Sequence, residues 1–254
     1  MIRTTIMFVF WAVFAVVAAV VGFPWTFISG KVDFLYRLCM WGAANGVRVA
    51  GVPVKVVGLD QLDPQRTYIF MANHASTLDP PILVPLIPRR TSVLVKKELF
   101  RVPILGQAMR MGSLVPVDRS NRDAAIASLR AAAQVLTTGI NMTIFIEGTR
   151  SYDGRLLPFK KGPFYLAEES GAPIVPVTIA GSQKVMPKKS MGIGTGEVRV
   201  IFHPPMRAAD FGDRDSLMAA VREKIASGLP EELQSPGTTF RKRSVSSNKE
   251  QEHY

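Results

Sequence analysis

The 254-residue chain has a single cysteine and few acidic residues for its size. Cys39 cannot form an intramolecular disulfide, and no group of His and Cys residues has zinc-ligand spacing, so neither kind of cross-link is expected. The 20 acidic residues are outnumbered by 31 basic ones, which gives a formal net charge of +11. Such an excess indicates an anionic partner: nucleic acid, an anionic membrane or a phosphorylated substrate. With 47% apolar residues, the chain suits one sizeable globular domain that carries additional apolar sequence.

Charge is also missing from the N-terminal region, where the 27 residues from Thr4 to Gly30 contain no ionisable side chain. The part between Ile6 and Phe23 is almost wholly apolar and is long enough to enter a bilayer. A secretory signal peptide fits less well, because the run is too long and no small-residue cleavage site precedes Pro24. A buried core helix would normally carry a polar stripe, which is absent here. Membrane association is therefore predicted.

A second helix is predicted from Lys31 to Val47, with Asp33 and Arg37 on one narrow stripe and apolar residues around the rest. This pattern is typical of a helix at a membrane interface. The two helices could form a hairpin in one leaflet, or the first could span the membrane, and hydropathy alone does not separate these cases. Residues 1–47 are accordingly predicted to be a membrane-associating segment.

From about Val49 the pattern changes to short β-branched runs that alternate with helical windows, which indicates an α/β layered domain over residues 48–230. The predicted helices include one that Asn121 caps and that runs through Thr138, and one that Asp213 opens and that runs through Ser227. Residues 231–254 are polar and read as a disordered tail. The predicted strands are Val52–Val57, Tyr68–Ala72, Ser92–Val95, Leu114–Val117, Thr143–Ile146, Ile174–Ile179 and Val198–Phe202.

The first candidate site follows the strand that ends at Ala72, where the chain continues Asn-His-Ala-Ser-Thr-Leu-Asp-Pro-Pro. Asp79 before Pro80 fits a helix N-cap followed by proline at the first helical position. The intervening loop can return the carboxylate to the imidazole of His74. A histidine beside a carboxylate is a general base with a fixed tautomer, whereas a histidine alone in a loop would be weak evidence.

Two further segments add basic residues and glycines. The first begins at Lys96 and leads to Val117-Asp118-Arg119; the second is Glu147-Gly148-Thr149-Arg150 after another apolar strand. Gly148 would let the backbone approach a phosphate, and Arg150 would contact its oxygens with a forked guanidinium. From Lys96 to Lys161 the chain has 11 basic and 5 acidic residues, so much of the excess positive charge lies in this region.

These segments resemble, in order and with similar spacing, the four motif blocks of the glycerolipid acyltransferase superfamily, and most closely its 1-acylglycerol-3-phosphate acyltransferase branch. The blocks are Asn73-His74 with Asp79, Lys96-x-Glu98-Leu99 leading to Arg119, Phe145-x-Glu147-Gly148-Thr149-Arg150-Ser151, and Val175-Pro176-Val177. The resemblance covers roughly residues 50–185. One departure is Ile146, where many members have proline, and it affects loop stiffness more than chemistry.

The resemblance implies an α/β fold with a central mixed sheet of about seven strands, and a membrane-bound enzyme that needs no metal and no cofactor. The implied reaction moves a fatty acyl group from acyl-CoA or acyl-carrier protein to the sn-2 hydroxyl of lysophosphatidate and gives phosphatidic acid. It further implies that Glu147, Gly148, Thr149 and Arg150 bind the glycerol phosphate, with Lys96 and Arg119 as supporting cations. The catalytic domain is expected on the cytoplasmic face of the inner or plasma membrane.

The residues support this reading through a simple mechanism, in which His74 deprotonates the acceptor hydroxyl and Asp79 orients the ring. Covalent catalysis has no obvious nucleophile, because the chain lacks a Gly-x-Ser-x-Gly elbow and Cys39 lies in the apolar region. Ser76 and Thr77 are expected to serve a turn or cap. Val175-Pro176-Val177 could form an apolar wall for the acyl chain or an ordinary buried strand.

The alternatives are an acyltransferase for another lysolipid, a lipase or esterase with an unrecognised nucleophile, and a nonenzymatic lipid-binding protein. A nucleic-acid-binding protein is not favoured, because aromatic residues are not interleaved with the basic ones as single-strand binders require.

Overall fold

A computed structural model describes residues 1–118 and 122–234. The β-strands of this part are β1 Val54–Val57, β2 Ile69–Ala72, β3 Thr91–Lys96, β4 Val115–Val117, β5 Asn141–Phe145, β6 Ile174–Ala180 and β7 Val198–Phe202. Its α-helices are α1 Ile2–Val17, α2 Phe23–Ser29, α3 Asp33–Val49, α4 Asp79–Leu83, α5 Leu105–Met111, α6 Arg122–Thr137, α7 Gly162–Ser170, α8 Ser182–Val185, α9 Arg214–Ser227 and α10 Glu231–Gln234. Short 3-10 helices are Leu59–Gln61, Val84–Leu86, Lys97–Arg101 and Ala208–Asp210.

The seven strands form one mixed sheet in the order β1-β7-β6-β2-β5-β3-β4, which confirms the predicted fold class. Strands β2 to β6 are mutually parallel, whereas β7 runs antiparallel to β6 and pairs in parallel with β1. Every residue of β2, β5 and β6 is buried, as expected for central strands covered on both faces. The predicted strands are all present, with bounds that differ by at most two residues.

Helices cover both faces of the sheet, and β2 shows how the strand pleat divides the core. Ile69 and Met71 face the layer that contains α6, α7 and α9. Phe70 and Ala72 face the opposite layer, where the N-terminal helices and α4 pack. Side chains that alternate between two buried faces are the period-two signature of a strand with two apolar environments.

The topology also brings the loops after several strands together at one edge of the sheet, at the carboxyl ends of these strands. Because β2, β3, β5 and β6 are parallel, the loops that follow them leave from the same edge. In open α/β sheets this is the edge at which ligands bind. All four predicted motif blocks lie in or directly after these strands.

The N-terminal apolar segment is helical from Ile2 to Ser29 and is the one helix within the described residues that is long and apolar enough to cross a membrane. A wider π-helical turn at Ala18–Gly22 joins α1 to α2. It lies directly before Pro24, which has no N–H to donate and whose ring would crowd a regular turn.

Helix α1 packs antiparallel to α3, and its aromatic side chains lie directly against the backbone of α3. Trp11 Nε1 donates to the carbonyl oxygen of Gly42 at 3.1 Å. A side chain at Gly42 or Gly46 would collide with the rings of Phe14 or Trp11. The glycines of α3 are therefore what allows the two helices to approach so closely.

Both ends of the N-terminal helical segment lie beside the α/β domain. At the start, Arg3 donates to the carbonyl oxygens of Ala50 at 2.7 Å and Gly194 at 2.9 Å, and Met7 is fully buried in the core. At the other end, Asp33 pairs with Arg90 at 3.4 Å. Three residues separate Ser29 from Asp33, so their Cα atoms are at most about 14 Å apart, and the end of α2 is also near the domain.

The helix ends agree with the capping predictions where the structure describes them. Asp213 caps α9, because its Oδ1 accepts a hydrogen bond of 2.7 Å from the Ser216 amide. Helix α6 ends at Thr137, and Gly139 beyond it has a φ of 78°. The proposed cap Asn121, like Arg119, lies outside the described residues.

The predicted tail begins too early. Helix α10 occupies its first four residues and buries the side chain of Leu233. The apolar side chain of Leu233 packs with α9, which a count of polar residues does not reveal. Residues 235–254, which include the basic Arg241-Lys242-Arg243, lie outside the described residues.

Candidate active site

His74 and Asp79 are in direct contact at the edge of the sheet, as predicted. The distance from His74 Nδ1 to Asp79 Oδ2 is 2.8 Å. The His74 ring is 13% exposed, while the Asp79 side chain is fully buried, and the ring of Phe145 lies 4.3 Å from that of His74. With Nδ1 bound to the carboxylate, Nε2 is the nitrogen left to exchange a proton with a substrate.

The Asp79 carboxylate is held by the loop it closes. Its Oδ2 also accepts hydrogen bonds of 2.8 Å from the amides of Ala75 and Ser76. Asp79 is the first residue of α4 and Leu78 the N-cap, so the predicted N-cap is wrong by one residue. The carboxylate turns back to the amides of its own loop because the loop is only four residues long, and this fixes its position relative to His74.

Two serines in or bonded to the His74 loop, Ser76 and Ser151, have hydroxyl groups that are held by the backbone. Ser76 is fully buried; its hydroxyl donates to the Met186 carbonyl oxygen at 2.8 Å and accepts from the Leu78 amide. Ser151 is also buried and accepts from the Gly154 amide. Ser76 thus has the turn role predicted for it, and neither Ser76 nor Ser151 is presented as a nucleophile for the lipase alternative.

The contacts of Glu147 differ from the glycerol-phosphate contact that the resemblance implies for this residue. It is 2% exposed; its Oε1 accepts from the His74 amide at 2.9 Å, and its Oε2 accepts from the Leu157 amide at 3.0 Å. Both carboxylate oxygens therefore bind backbone, and neither points to an incoming phosphate. The side chain joins the His74 loop to the segment around Leu157.

Burial raises the pKa of Glu147 to about 7. The two amide donors and Arg222 act in the opposite direction, and the nearby Asp79 adds to the increase. Burial has the largest effect because a charged carboxylate loses most of its hydration inside the domain.

The loop after β5 brings Gly148 and Arg150 to the same edge. Gly148 has a φ of 69°, a left-handed conformation that glycine adopts without strain. Arg150 donates from Nη1 to the hydroxyl of Thr77, and Ser151 N donates to the carbonyl oxygen of His74 at 2.8 Å. The loop is thus bound to the His74 loop at both its side chain and its backbone.

Sequence reasoning missed Lys188, which lies in the segment that follows β6 and α8. Its Nζ donates to the Arg150 carbonyl oxygen at 2.6 Å and lies 3.5 Å from the Thr149 hydroxyl. It also lies 3.9 Å from the centre of the Tyr152 ring, a cation–π geometry. The parallel direction of β6 could have indicated this, because the segment after β6 must leave from the same edge as the other site loops.

Of the two predicted supporting cations, Lys96 and Arg119, the structure describes only Lys96. Lys96 is the last residue of β3 and so belongs to the same edge; its Nζ pairs with Glu98 at 3.6 Å, and its side chain is 58% exposed. Arg119 lies outside the described residues. Among the described residues, Lys96 is paired with Glu98 and not with a residue of the His74 or Arg150 loops.

The block Val175-Pro176-Val177 lies inside β6, and both valines are fully buried in the core. Of the two interpretations, the structure favours the ordinary buried strand. Strand β6 contributes to the site further along, where Asn73 exchanges hydrogen bonds of 2.9 and 2.7 Å with the backbone of Ile179. These bonds anchor the loop that carries His74.

Comparison with known proteins gives consistent results. A family model described as Acyltransferase matches residues 53–180. A 1-acyl-sn-glycerol-3-phosphate acyltransferase from Limnanthes douglasii is 33% identical over 221 residues, which cover 86% of this chain and 77% of the relative. A human 1-acyl-sn-glycerol-3-phosphate acyltransferase alpha is 32% identical over 157 residues, which cover 61% of this chain and 56% of the relative.

The fold is also similar to a solved structure. The crystal structure of the 1-acyl-sn-glycerophosphate (LPA) acyltransferase PlsC from Thermotoga maritima superimposes with a TM-score of 0.79 at 26% sequence identity. The match covers 94% of this chain and 97% of that chain. It therefore includes the N-terminal helices as well as the sheet.

Proposed function

This chain belongs to the acyltransferase family that includes the 1-acyl-sn-glycerol-3-phosphate acyltransferases, and we propose that His74 and Asp79 carry out its transfer reaction. The enzyme moves a fatty acyl group to the sn-2 hydroxyl of lysophosphatidate and gives phosphatidic acid. We propose that the donor is an acyl thioester, either acyl-CoA or acyl-carrier protein. The residue roles below are part of the same proposal.

The reaction needs one base and no acyl-enzyme intermediate. His74 Nε2 removes the proton of the acceptor hydroxyl as its oxygen attacks the thioester carbonyl carbon. The tetrahedral intermediate then expels sulfur, which takes the proton from the imidazolium and leaves as a thiol. Asp79 holds the ring in the required tautomer and stabilises the imidazolium. The observation that carries this proposal is the 2.8 Å contact between His74 Nδ1 and the fully buried Asp79 carboxylate.

We assign recognition of the acceptor phosphate to Arg150, with Gly148 and Thr149 shaping the loop and Lys96 and Arg119 as further cations. The support for Arg150 is its half-buried position beside the His74 loop. Its guanidinium can contact two phosphate oxygens at once. Glu147 takes a positioning role in this proposal, since its oxygens hold the backbone of His74 and Leu157.

We infer that the N-terminal helices lie in one leaflet and hold the site against the membrane. A helix whose two ends both lie beside the domain cannot place those ends on opposite sides of a bilayer. The helical segment also has several largely exposed apolar side chains, among them Trp25, Phe27 and Ile28, which suits insertion into the boundary between headgroups and acyl chains. We place this leaflet on the cytoplasmic side, where soluble acyl thioesters are available.

The test is product analysis with the purified full-length enzyme, several lysolipid acceptors and both donor types. His74→Ala should lower the turnover number by roughly 100- to 10,000-fold, and Asp79→Asn should follow it closely, while vesicle binding and thermal stability are unchanged in His74→Ala. Turnover of His74→Ala within threefold of wild type would end the mechanism. Equal rates on lysolipids without a phosphomonoester would point to another acceptor.

A further inference from the structure

A basic cleft lies away from His74, between α3 and the chain that follows α4. It has a volume of about 450 Å³. Its apolar wall includes Met40, Val84 and Ile87, and its polar side includes three arginines and one acidic residue. Helix α4 separates the cleft from the catalytic loop, so the proposed mechanism does not use it.

Two of the three arginines have unused capacity to bind an anion. Arg89 is occupied, because its guanidinium donates to the carbonyl oxygens of Gln65 and Gly139. Arg90 pairs with Asp33 at a long 3.4 Å, and its buried Nε has no hydrogen-bond partner in the described part of the chain. Arg37 is exposed and has no ion pair or hydrogen bond among residues 1–118 and 122–234.

The surroundings of Arg37 indicate where the ligand comes from. On α3, Phe34 and Trp41 lie three residues before and four residues after Arg37, so all three share one helix face. Phe34 and Trp41 are 38% and 56% exposed, and the ring of Phe34 lies 5.9 Å from that of Trp25. Exposed tryptophans beside a long cationic side chain are typical of the headgroup level of a membrane.

We propose that this cleft binds the phosphate of an anionic glycerophospholipid of the host membrane, with Arg37 and Arg90 as the phosphate ligands. The apolar wall of Met40, Val84 and Ile87 would receive the glycerol and the first methylenes of the acyl chains. The site would fix the angle at which the enzyme rests on the leaflet. It is independent of the catalytic assignment, because none of its residues belongs to the catalytic loops.

The test measures binding of the full-length protein to phosphatidylcholine vesicles with and without phosphatidylglycerol. Arg37→Gln is the main variant, and Arg130→Gln is the matched control, since Arg130 is an exposed arginine on α6, across the sheet. Near an anionic surface one cation changes the affinity by roughly fivefold. Arg37→Gln should lose at least that factor relative to Arg130→Gln on anionic vesicles, and the two should bind alike to pure phosphatidylcholine. Arg37→Lys should recover part of the loss.

Photo-crosslinking with a photoactivatable phosphatidylglycerol supplies a second readout. The labelled peptides should include residues 33–40 or 84–90, and Arg90→Gln should reduce the label. Equal losses for Arg37→Gln and Arg130→Gln, or label elsewhere only, would overturn the proposal. If glycerol 3-phosphate in solution displaces the label as well as the lipid does, the cleft is a soluble-anion site, and the membrane assignment is wrong. Unchanged turnover on a short-chain soluble acceptor shows that Arg37→Gln is folded.

Discussion

Lys188→Met is expected to weaken acceptor binding through Arg150, without touching the substrate itself. Lys188 Nζ donates to the Arg150 carbonyl oxygen at 2.6 Å, and this bond joins the loop that carries Arg150 to the segment after α8. Methionine keeps the apolar stem over the Tyr152 ring but cannot donate. The perturbation is thus a lost hydrogen bond with little change in packing.

The size of the effect follows from that bond. A hydrogen bond to a charged group contributes about 1.5–3 kcal/mol, and the lower end applies because Lys188 is only half-buried. If the bond serves to hold Arg150 in its phosphate-binding position, the loss appears as a rise of roughly tenfold in the acceptor KM. The donor KM and the turnover number should change little, since phosphate binding contributes equally to ground state and transition state.

The assay is a double-mutant cycle with Arg150→Ala, measured as steady-state kinetics with the acceptor and the donor varied in turn. If Lys188 acts through Arg150, Lys188→Met should have no further effect in the Arg150→Ala background. Lys184→Met, an exposed lysine of the same segment, is the control and should match wild type. Lys188→Arg should recover most of the loss, because arginine also donates to a carbonyl.

Independent, additive effects of the two substitutions would refute this reasoning and indicate that Lys188 contacts the substrate directly. An unchanged acceptor KM in Lys188→Met would show that the bond has no functional weight. If Arg150→Ala itself leaves the acceptor KM unchanged, the phosphate assignment fails, and the cycle then says nothing in favour of either residue. These three outcomes are distinct in the same data set.

Three further predictions concern residues around the site and the membrane surface. Protonation of Glu147 stabilises the folded state, and this contribution is complete below about pH 4.5 and is lost as the pH rises to about 7. Over that range, wild type should lose up to about 3 kcal/mol of unfolding free energy relative to Glu147→Gln. Thermal unfolding measures this difference, and parallel pH curves for the two proteins would contradict it. Gly148→Ala forces an alanine into a left-handed φ and places its Cβ 3.3 Å from the Lys160 side chain. We expect the unfolding free energy to fall by about 1–2 kcal/mol and the acceptor KM to rise. Unchanged stability would contradict this prediction. The double substitution Phe27→Ser and Ile28→Ser removes apolar side chains that are 73% and 85% exposed. It should lower activity on bilayer-embedded lysolipid but not on a short-chain soluble analogue. An equal loss of activity on both substrates would refute the anchoring role of these side chains.

The membrane test uses surface substitutions because the structure argues against deleting residues 1–47. Met7 and Val47 are nearly or fully buried in the same core cluster as Phe70 and Leu83. Their removal would expose the face of the sheet that the N-terminal helices cover. A truncated protein would therefore confuse lost folding with lost membrane access.

The local elements and the contact between His74 and Asp79 could be predicted because short-range physics determines them. A strand that runs into His74 and a loop of four residues before Asp79 suffice to bring an imidazole to a carboxylate. The β-branched runs identified all seven strands, since buried parallel strands carry continuous apolar sequence. The aspartate cap of α9 likewise depends only on neighbouring residues.

Roles that depend on contacts across the sheet could not be predicted in the same way. The Glu147 motif suggests a ligand to phosphate, and only the fold shows that its oxygens meet the amides of His74 and Leu157. Lys188 lies 38 residues from Arg150 in the chain, in a segment with no motif of its own. Sequence spacing carries no information about such pairs until the strand order is known.

The amino-acid sequence by itself determined that the N-terminal residues are helical, apolar and suited to a bilayer, because length and the absence of charge decide that property residue by residue. Only the tertiary structure shows where the two ends of this helix lie relative to the domain. Hydropathy describes the surface of an isolated helix and does not report where its ends go. Arg3 on the carbonyl oxygens of Ala50 and Gly194, and Asp33 on Arg90, place both ends beside the domain. These long-range hydrogen bonds and ion pairs, rather than apolar length, are the observations on which the proposed one-leaflet placement rests.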